Sequence, residues 1–82
     1  MYEGLKEAKK VIGAKQVIKA VEKGLAVQVY VALDADKRIT EPLLLVCQAK
    51  NIVIEQASSM SELGKACGIE VGAAAVAVLK KV

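Results

Sequence analysis

Leu63-Gly64-Lys65-Ala66-Cys67-Gly68-Ile69-Glu70-Val71-Gly72-Ala73-Ala74-Ala75-Val76-Ala77-Val78 decides how this chain is read. Ser59-Met60-Ser61-Glu62, just before it, has the spacing of a capping box, so a short polar helix is expected to start there and to stop at Gly68. An Ile-Glu-Val step follows, and the chain then runs directly into small residues. The spacing predicts a strand beginning at Val71 or Ala73 and ending at Leu79. Ile69 and Val71 are costly to leave in water, yet they flank a charge in what should be a connecting loop. A loop that shows apolar side chains beside a helix end has something to press against.

Working outward, helical and extended patterns alternate with short joints. Leu5, Ala8 and Ile12 are spaced for one buried stripe, which predicts a helix over Glu3 to Lys10, with Val11-Ile12 able to form a short strand. Gly13 breaks the chain before a second helix, Lys15 to Lys23, closed by Gly24. Val27, Val29, Val31 and Leu33 alternate with Gln28, Tyr30 and Ala32, a strand with apolar residues on both faces. Asp34-Ala35-Asp36 reads as a turn. Thr40 is the expected N-cap of the next helix, with Pro42 in its first turn and Leu43, Leu44, Val46 and Cys47 toward the sheet, and the helix ends near Lys50-Asn51. Ile52-Val53-Ile54 then reads as a short buried strand. The alternation implies an α/β class fold: a three-layer α/β/α sandwich, with a small mixed four-stranded sheet and helices on both faces.

Eighty-two residues suit one domain over 1–82, with a modest core. Apolar residues make up 55% of the chain, but Tyr2 and Tyr30 are its only aromatic side chains, so the core must be aliphatic. The longest apolar run, Val71 to Leu79, is too short to span a bilayer, and no charged leader precedes an apolar segment at the start. The expectation is a cytoplasmic protein without a membrane partner, in which Cys47 and Cys67 are buried free thiols. Net charge is +3, unevenly spread: residues 6–23 hold six lysines against two glutamates, whereas residues 39–82 hold four of each. The basic N-terminal part favours a polyanionic partner.

Lys15, Lys19 and Lys23 recur at i, i+4 and i+8, and Gln16 precedes Lys19 by three, so all four share one helical face. One reading is a solvated face opposite buried Val17, Ala20 and Val21. The other is a ligand-facing surface, since three like charges in register repel by a few tenths of a kcal/mol each pair. A helix N-terminus beside them offers free amides to a phosphate. Gly68-Ile69-Glu70-Val71 likewise has two readings, a helix cap leading into a buried strand or an exposed apolar loop. Catalysis finds no support: there is no histidine, no nucleophile motif and no Gly-rich phosphate loop. Cys67 at a helix C-terminus is a poor redox site. Asp34 and Asp36 lack the further ligands a metal would need. Neither cofactor nor metal is expected.

Together, Gly13 to Val21 and Leu63 to Val78 resemble the kink-turn RNA-binding family, which includes an archaeal large-subunit ribosomal protein and its short bacterial relatives. The resemblance spans nearly the whole chain and implies the α/β/α architecture read above. It also implies recognition of a kinked RNA with tandem sheared G·A pairs, presented by ribosomal RNA, a riboswitch or a small ribonucleoprotein RNA. That would make it a translation-associated protein, near or in the ribosome, acting as a monomer. Carried over, Gly13 permits close backbone approach, and Lys15 and Gln16 stand where archaeal members have Asn-Glu. Lys19 stands at the motif's lysine, and Lys23 continues the face. Lysine donates to guanine O6 and N7, and a glutamine amide both donates and accepts at a base edge. The Lys15-Gln16 pair is similar to the short bacterial branch. In that family Ile69 and Val71 would press on an extruded nucleotide, with Glu70 reaching a base, a 2′-hydroxyl or a lysine. A domain of this fold that binds protein in place of RNA is the alternative.

Overall fold

The computed structural model describes residues 4–80. Among them the elements follow as β1 (Lys10–Ile12), α1 (Ala14–Glu22), β2 (Ala26–Ala32), α2 (Lys37–Ala49), β3 (Ile54–Ala57), α3 (Met60–Cys67) and β4 (Ala75–Leu79). The sheet order is β1-β4-β2-β3, with β4 antiparallel to both neighbours and β2 parallel to β3. β1, β2 and β3 therefore all run one way and β4 runs back between them. This is the mixed four-stranded sheet with helices on both faces that the alternation predicts.

Two aliphatic cores flank the sheet. On one face Val17, Ala20 and Val21 of α1 and Leu43 and Cys47 of α2 pack on Val29, Val31, Ala75 and Ala77. On the other, Leu63 and Cys67 of α3 join Leu5, Tyr30, Ala32 and Val76. The alanines of β4, Ala75 and Ala77, both face the first core and let α1 and α2 approach closely there. β2 serves both cores because a bulge corrects its phase. Ala26 pairs with Leu79 and Gln28 with Val78, so Val27 is an extra residue pushed out to solvent. The expected inward role of Val27 and Leu33 fails for that reason at one end, and at the other because the strand stops at Ala32.

Four expectations about element bounds are corrected. Glu3 lies outside the described residues, and no α-helix follows it. The segment makes one turn, with the Ala8 amide donating to the Gly4 carbonyl (2.9 Å), and Lys10 enters β1 against Val78. Gly4 at φ +75° and the pull of β4 pairing stop a helix there. Second, α2 starts a turn before Thr40. Asp36 is its cap, with Oδ1 accepting from the Arg38 amide at 2.9 Å, while Thr40 is buried within the helix. Pro42 consequently sits in the second turn, where it removes one backbone hydrogen bond without ending the helix. Of the residues expected toward the sheet, Leu43 and Cys47 are buried and Val46 packs on their cluster, but Leu44 is exposed.

Third, β3 begins at Ile54 and not Ile52. Asn51 takes a left-handed φ of +57°, and the Ile52 amide donates back to the Cys47 carbonyl (2.9 Å), so Ile52 closes α2 before the strand starts. The same closure ends α1, where Leu25 donates to the Ala20 carbonyl past Gly24, and α3, where Ile69 donates to the Gly64 carbonyl past Gly68. Fourth, β4 starts at Ala75, later than Val71 or Ala73, because the preceding loop folds onto α3 with the Ala73 amide donating to the Met60 carbonyl (3.0 Å).

Candidate nucleic-acid interface

Because β1, β2 and β3 run in one direction, all three helices begin at the same end of the sheet, and the loop of residues 68–74 enters β4 at that end too. The positive ends of three helix dipoles are thus gathered there, together with the apolar loop. Ligands of α/β sheets commonly bind outside the carboxyl ends of strands, where connecting segments can be shaped freely.

The three helix starts are not alike. α2 has Asp36. α3 has Ser59, whose Oγ accepts from the Glu62 amide at 3.0 Å, and also Asp34, whose Oδ1 accepts from the Met60 amide at 2.7 Å. The Glu62 carboxylate completes a box-like contact with the Ser58 hydroxyl rather than with the Ser59 amide. α1 starts at Gly13, which offers no side-chain acceptor. The first-turn amides of α1 therefore point out of the molecule without the acceptor the other two helices carry. Gly13 adopts φ +105°, a conformation side chains disfavour, and nothing lies within 4 Å of where its Cβ would be. Its own amide donates to the Ala75 carbonyl (2.9 Å). That bond ties the start of α1 to the point where the loop becomes β4.

Lys15, Gln16, Lys19 and Lys23 are all exposed on α1, opposite buried Val17, Ala20 and Val21, as the spacing predicts. Gln16, Lys19 and Lys23 line a shallow depression of about 140 Å³ that has Val11, Leu25 and Leu79 as its apolar floor. The lysines so arranged sit over the β1 edge of the sheet. Gly13, Lys15 and Gln16 lie at the loop end of α1. Lys23 does not: it is two turns further along, about 12 Å down the axis.

The loop divides its apolar residues between core and solvent. Ile69 is half-buried against the α3-side core, Glu70 is exposed, and Val71 is 71% exposed. Two glycines absent from the sequence-based site set this geometry. A Cβ at Gly64 would lie only 2.1 Å from the Val71 carbonyl oxygen, and one at Gly72 would lie 3.1 Å from Met60 Cβ. The loop backbone can lie flat on α3 because Gly64 carries no side chain and Gly72 fits closely against Met60, and this holds the Val71 side chain away from the helix. A glycine inside a helical pattern signals such a close approach. The Asp34 cap had no comparable signal, since 26 residues separate it from Met60.

Asp34 and Asp36 are both used as caps. The Arg38 guanidinium and then its backbone amide hold the Asp36 carboxyl below its usual range. Cys47 and Cys67 are free and buried, on opposite faces of the sheet. Burial pushes both thiols up, and Lys10 partly opposes this at Cys67.

Residues 2–82 match the ribosomal protein L7Ae/L30e/S12e/Gadd45 family. An RNA-binding protein of Geobacillus thermodenitrificans is 49% identical over 80 residues, covering 96% of this chain and 98% of that protein. The RNA-binding protein YbxF of Geobacillus stearothermophilus is 48% identical with the same coverage. Among solved structures, the 15.5 kD RNA-binding protein of Giardia lamblia superposes with a TM-score of 0.86 at 30% identity, over 98% of this chain and 68% of that one. A protein of unknown function from Bacillus halodurans C reaches the same TM-score at 25% identity, over 96% and 83%. The fold is thus that of a ribosomal-protein-like α/β/α domain. The chain belongs to the L7Ae/L30e/S12e/Gadd45 family.

Proposed function

We propose that this chain is an RNA-binding protein, a single domain over 1–82 that recognises kink-turns with tandem sheared G·A pairs. The uncapped start of α1, tied through Gly13 to the loop that projects Val71, carries the reading. It sets unopposed amides, a cationic polar face and one exposed apolar side chain at the same end of the sheet. The names of the 49% and 48% identical relatives support RNA as the partner class.

In this reading Gly13 admits the phosphate backbone against the α1 amides. Lys15, Gln16 and Lys19 address the edges of the G·A pairs, and Lys23 attracts phosphate further along the stem. Val71 presses on the unstacked loop nucleotide while Ile69 braces it from the core side, and Glu70 accepts from a base, a 2′-hydroxyl or a lysine. The RNA is ribosomal, a riboswitch or part of a small ribonucleoprotein, the protein acts as a monomer in the cytoplasm near the translation machinery, and it works without a cofactor or catalytic step.

A gel-shift series tests the reading. An RNA with a three-nucleotide bulge followed by tandem G·A pairs should bind far more tightly than one with Watson–Crick pairs in their place. Equal affinity for the two would leave only a general basic surface, and no binding to either would favour the protein-interaction alternative. Val71→Asp should leave the melting temperature unchanged and weaken binding by about tenfold or more, by losing an apolar contact and placing a charge against phosphates.

A further inference from the structure

The two edges of the sheet carry opposite charge. The β1 edge lies under the lysine face of α1, whereas from Asn51 to Gly64 the chain has Glu55 and Glu62 and no basic residue. β3 forms that second edge. The Val29 amide donates to the Val53 carbonyl (3.2 Å) and the Leu33 amide to the Ala57 carbonyl (2.9 Å). By the alternation of a parallel ladder, Ile54 and Gln56 turn their backbone donors and acceptors away from β2. Beside this open edge α2 overhangs an apolar cleft of about 310 Å³, walled by Thr40 and Leu44 on the helix and by Leu33, Ile54 and Gln56 on the sheet. Leu33 is 62% exposed and Val53, at the other end of the strand, 67%. Sheet edges are normally protected from such a combination of unpaired backbone and exposed aliphatic side chains. Lys37 and Glu41 both line the cleft and offset one another in charge, whereas Glu55 stands on the far side of β3 and among the described residues is not ion-paired.

We propose that the β3 edge binds an extended segment of a partner protein as a fifth strand, with apolar residues alternating with lysine or arginine. The pattern follows from the pleat: Ile54 and Gln56 line the cleft, so every second residue of the added strand enters it. The intervening residues lie on the side of Glu55, where a basic side chain is favoured. A second copy of this chain fits poorly, because the antiparallel register that joins Ile54 of one copy to Gln56 of the other sets Glu55 directly against Glu55. RNA is disfavoured by the same carboxylates. The site is on the edge away from α1 and stands whether or not the RNA reading holds.

The probe is the peptide acetyl-Lys-Val-Lys-Leu-Lys-Val-amide, titrated into ¹⁵N-labelled protein. Its glutamate counterpart and a version with prolines at the third and fourth positions, one of which removes an amide facing Ile54 or Gln56 whichever way the strand runs, serve as controls. Shifts and slowed amide exchange should centre on Ile54 and Gln56, with the basic peptide binding at least tenfold more tightly than either control. The substitution Glu55→Lys should reverse the charge preference. Leu44→Gln, on the open wall of the cleft, should weaken the basic peptide about tenfold and serves if the Glu55 variant misfolds. Shifts on α1, equal affinity for basic and acidic peptides, or indifference to proline would overturn the proposal. Concentration-dependent shifts at Ile54 and Gln56 without peptide would give the edge to a second copy, and the same shifts with RNA would give it to RNA; either also overturns it.

Discussion

α1 and α3 meet the same end of the sheet and are built in opposite ways. α3 is closed: Ser59 and Asp34 occupy its first amides, Gly68 folds its last carbonyls, and a loop backbone lies along it at Gly64. α1 is open at its start, with a bare glycine and a row of lysines in solvent. The difference separates two tasks. Side-chain caps typically stabilise a helix by about 1 kcal/mol, and α1 forgoes that at the one place where an outside acceptor could supply it. Substitutions around α3 should therefore register in stability, and those on α1 in binding.

The largest test of that division is Gly64→Ala. Its methyl would collide with the Val71 carbonyl, and since backbone must yield, destabilisation of about 3 kcal/mol is expected, read by urea denaturation. A neutral result would mean the loop is free to move and Val71 is not held in place. On α1, Lys19→Ala should cost about 1–3 kcal/mol in RNA binding, reduce discrimination against altered G·A pairs, and leave the denaturation midpoint alone. Lys23→Ala, one turn beyond Lys19 and two from the loop end of α1, should lower affinity less and equally for all RNAs. If the two lysine variants behaved alike in calorimetry, the face would be an undifferentiated charge.

Asp34→Ala, which uncaps α3 across 26 residues, should cost about 1 kcal/mol of stability with RNA affinity preserved. A binding loss without a stability loss would erase the contrast between the helices. The smallest effect is acid sensitivity at α2. The Asp36 carboxyl titrates lower when folded than its ordinary 3.8, so its contribution is present above that value and is lost as pH falls through the folded-state pKa. Asp36→Asn should flatten the stability profile below about pH 4 and lower stability slightly near neutrality, where the contribution of the carboxylate is present.

The sequence was legible wherever local chemistry decides the outcome. The Ser59 cap, the break at Gly68 and the buried stripe of α1 all stand as the residues predict, because each depends on neighbours within about one turn. The misreadings share another cause. Lys10 joins β4 from 68 positions away, and the Asp34 cap reaches across two elements, so no window of local pattern contains them. Thr40 was the more familiar cap beside Pro42, but Asp36 can reach the first amide while Thr40 has a core to fill. For the interface, spacing placed Lys15, Gln16 and Lys19 on one face. The outward set of Val71 instead depends on Gly64 and Gly72, whose meaning is visible only when loop and helix are in contact.

The order of the strands has a consequence for how the protein comes into being. β4 is the last of the elements along the chain, yet it lies between β1 and β2, and β1 pairs with no other strand. Gly13 is likewise anchored by Ala75. While a chain is being synthesised, α1, β2, α2 and β3 can associate early, but β1 and the Gly13 amide lack their partners until residues 75–79 have emerged. Closing that long-range pairing is the slow, high-contact-order step. A truncated or half-made chain keeps its lysines but lacks the pairing that fixes the start of α1, so nascent fragments carry the charge without its folded placement.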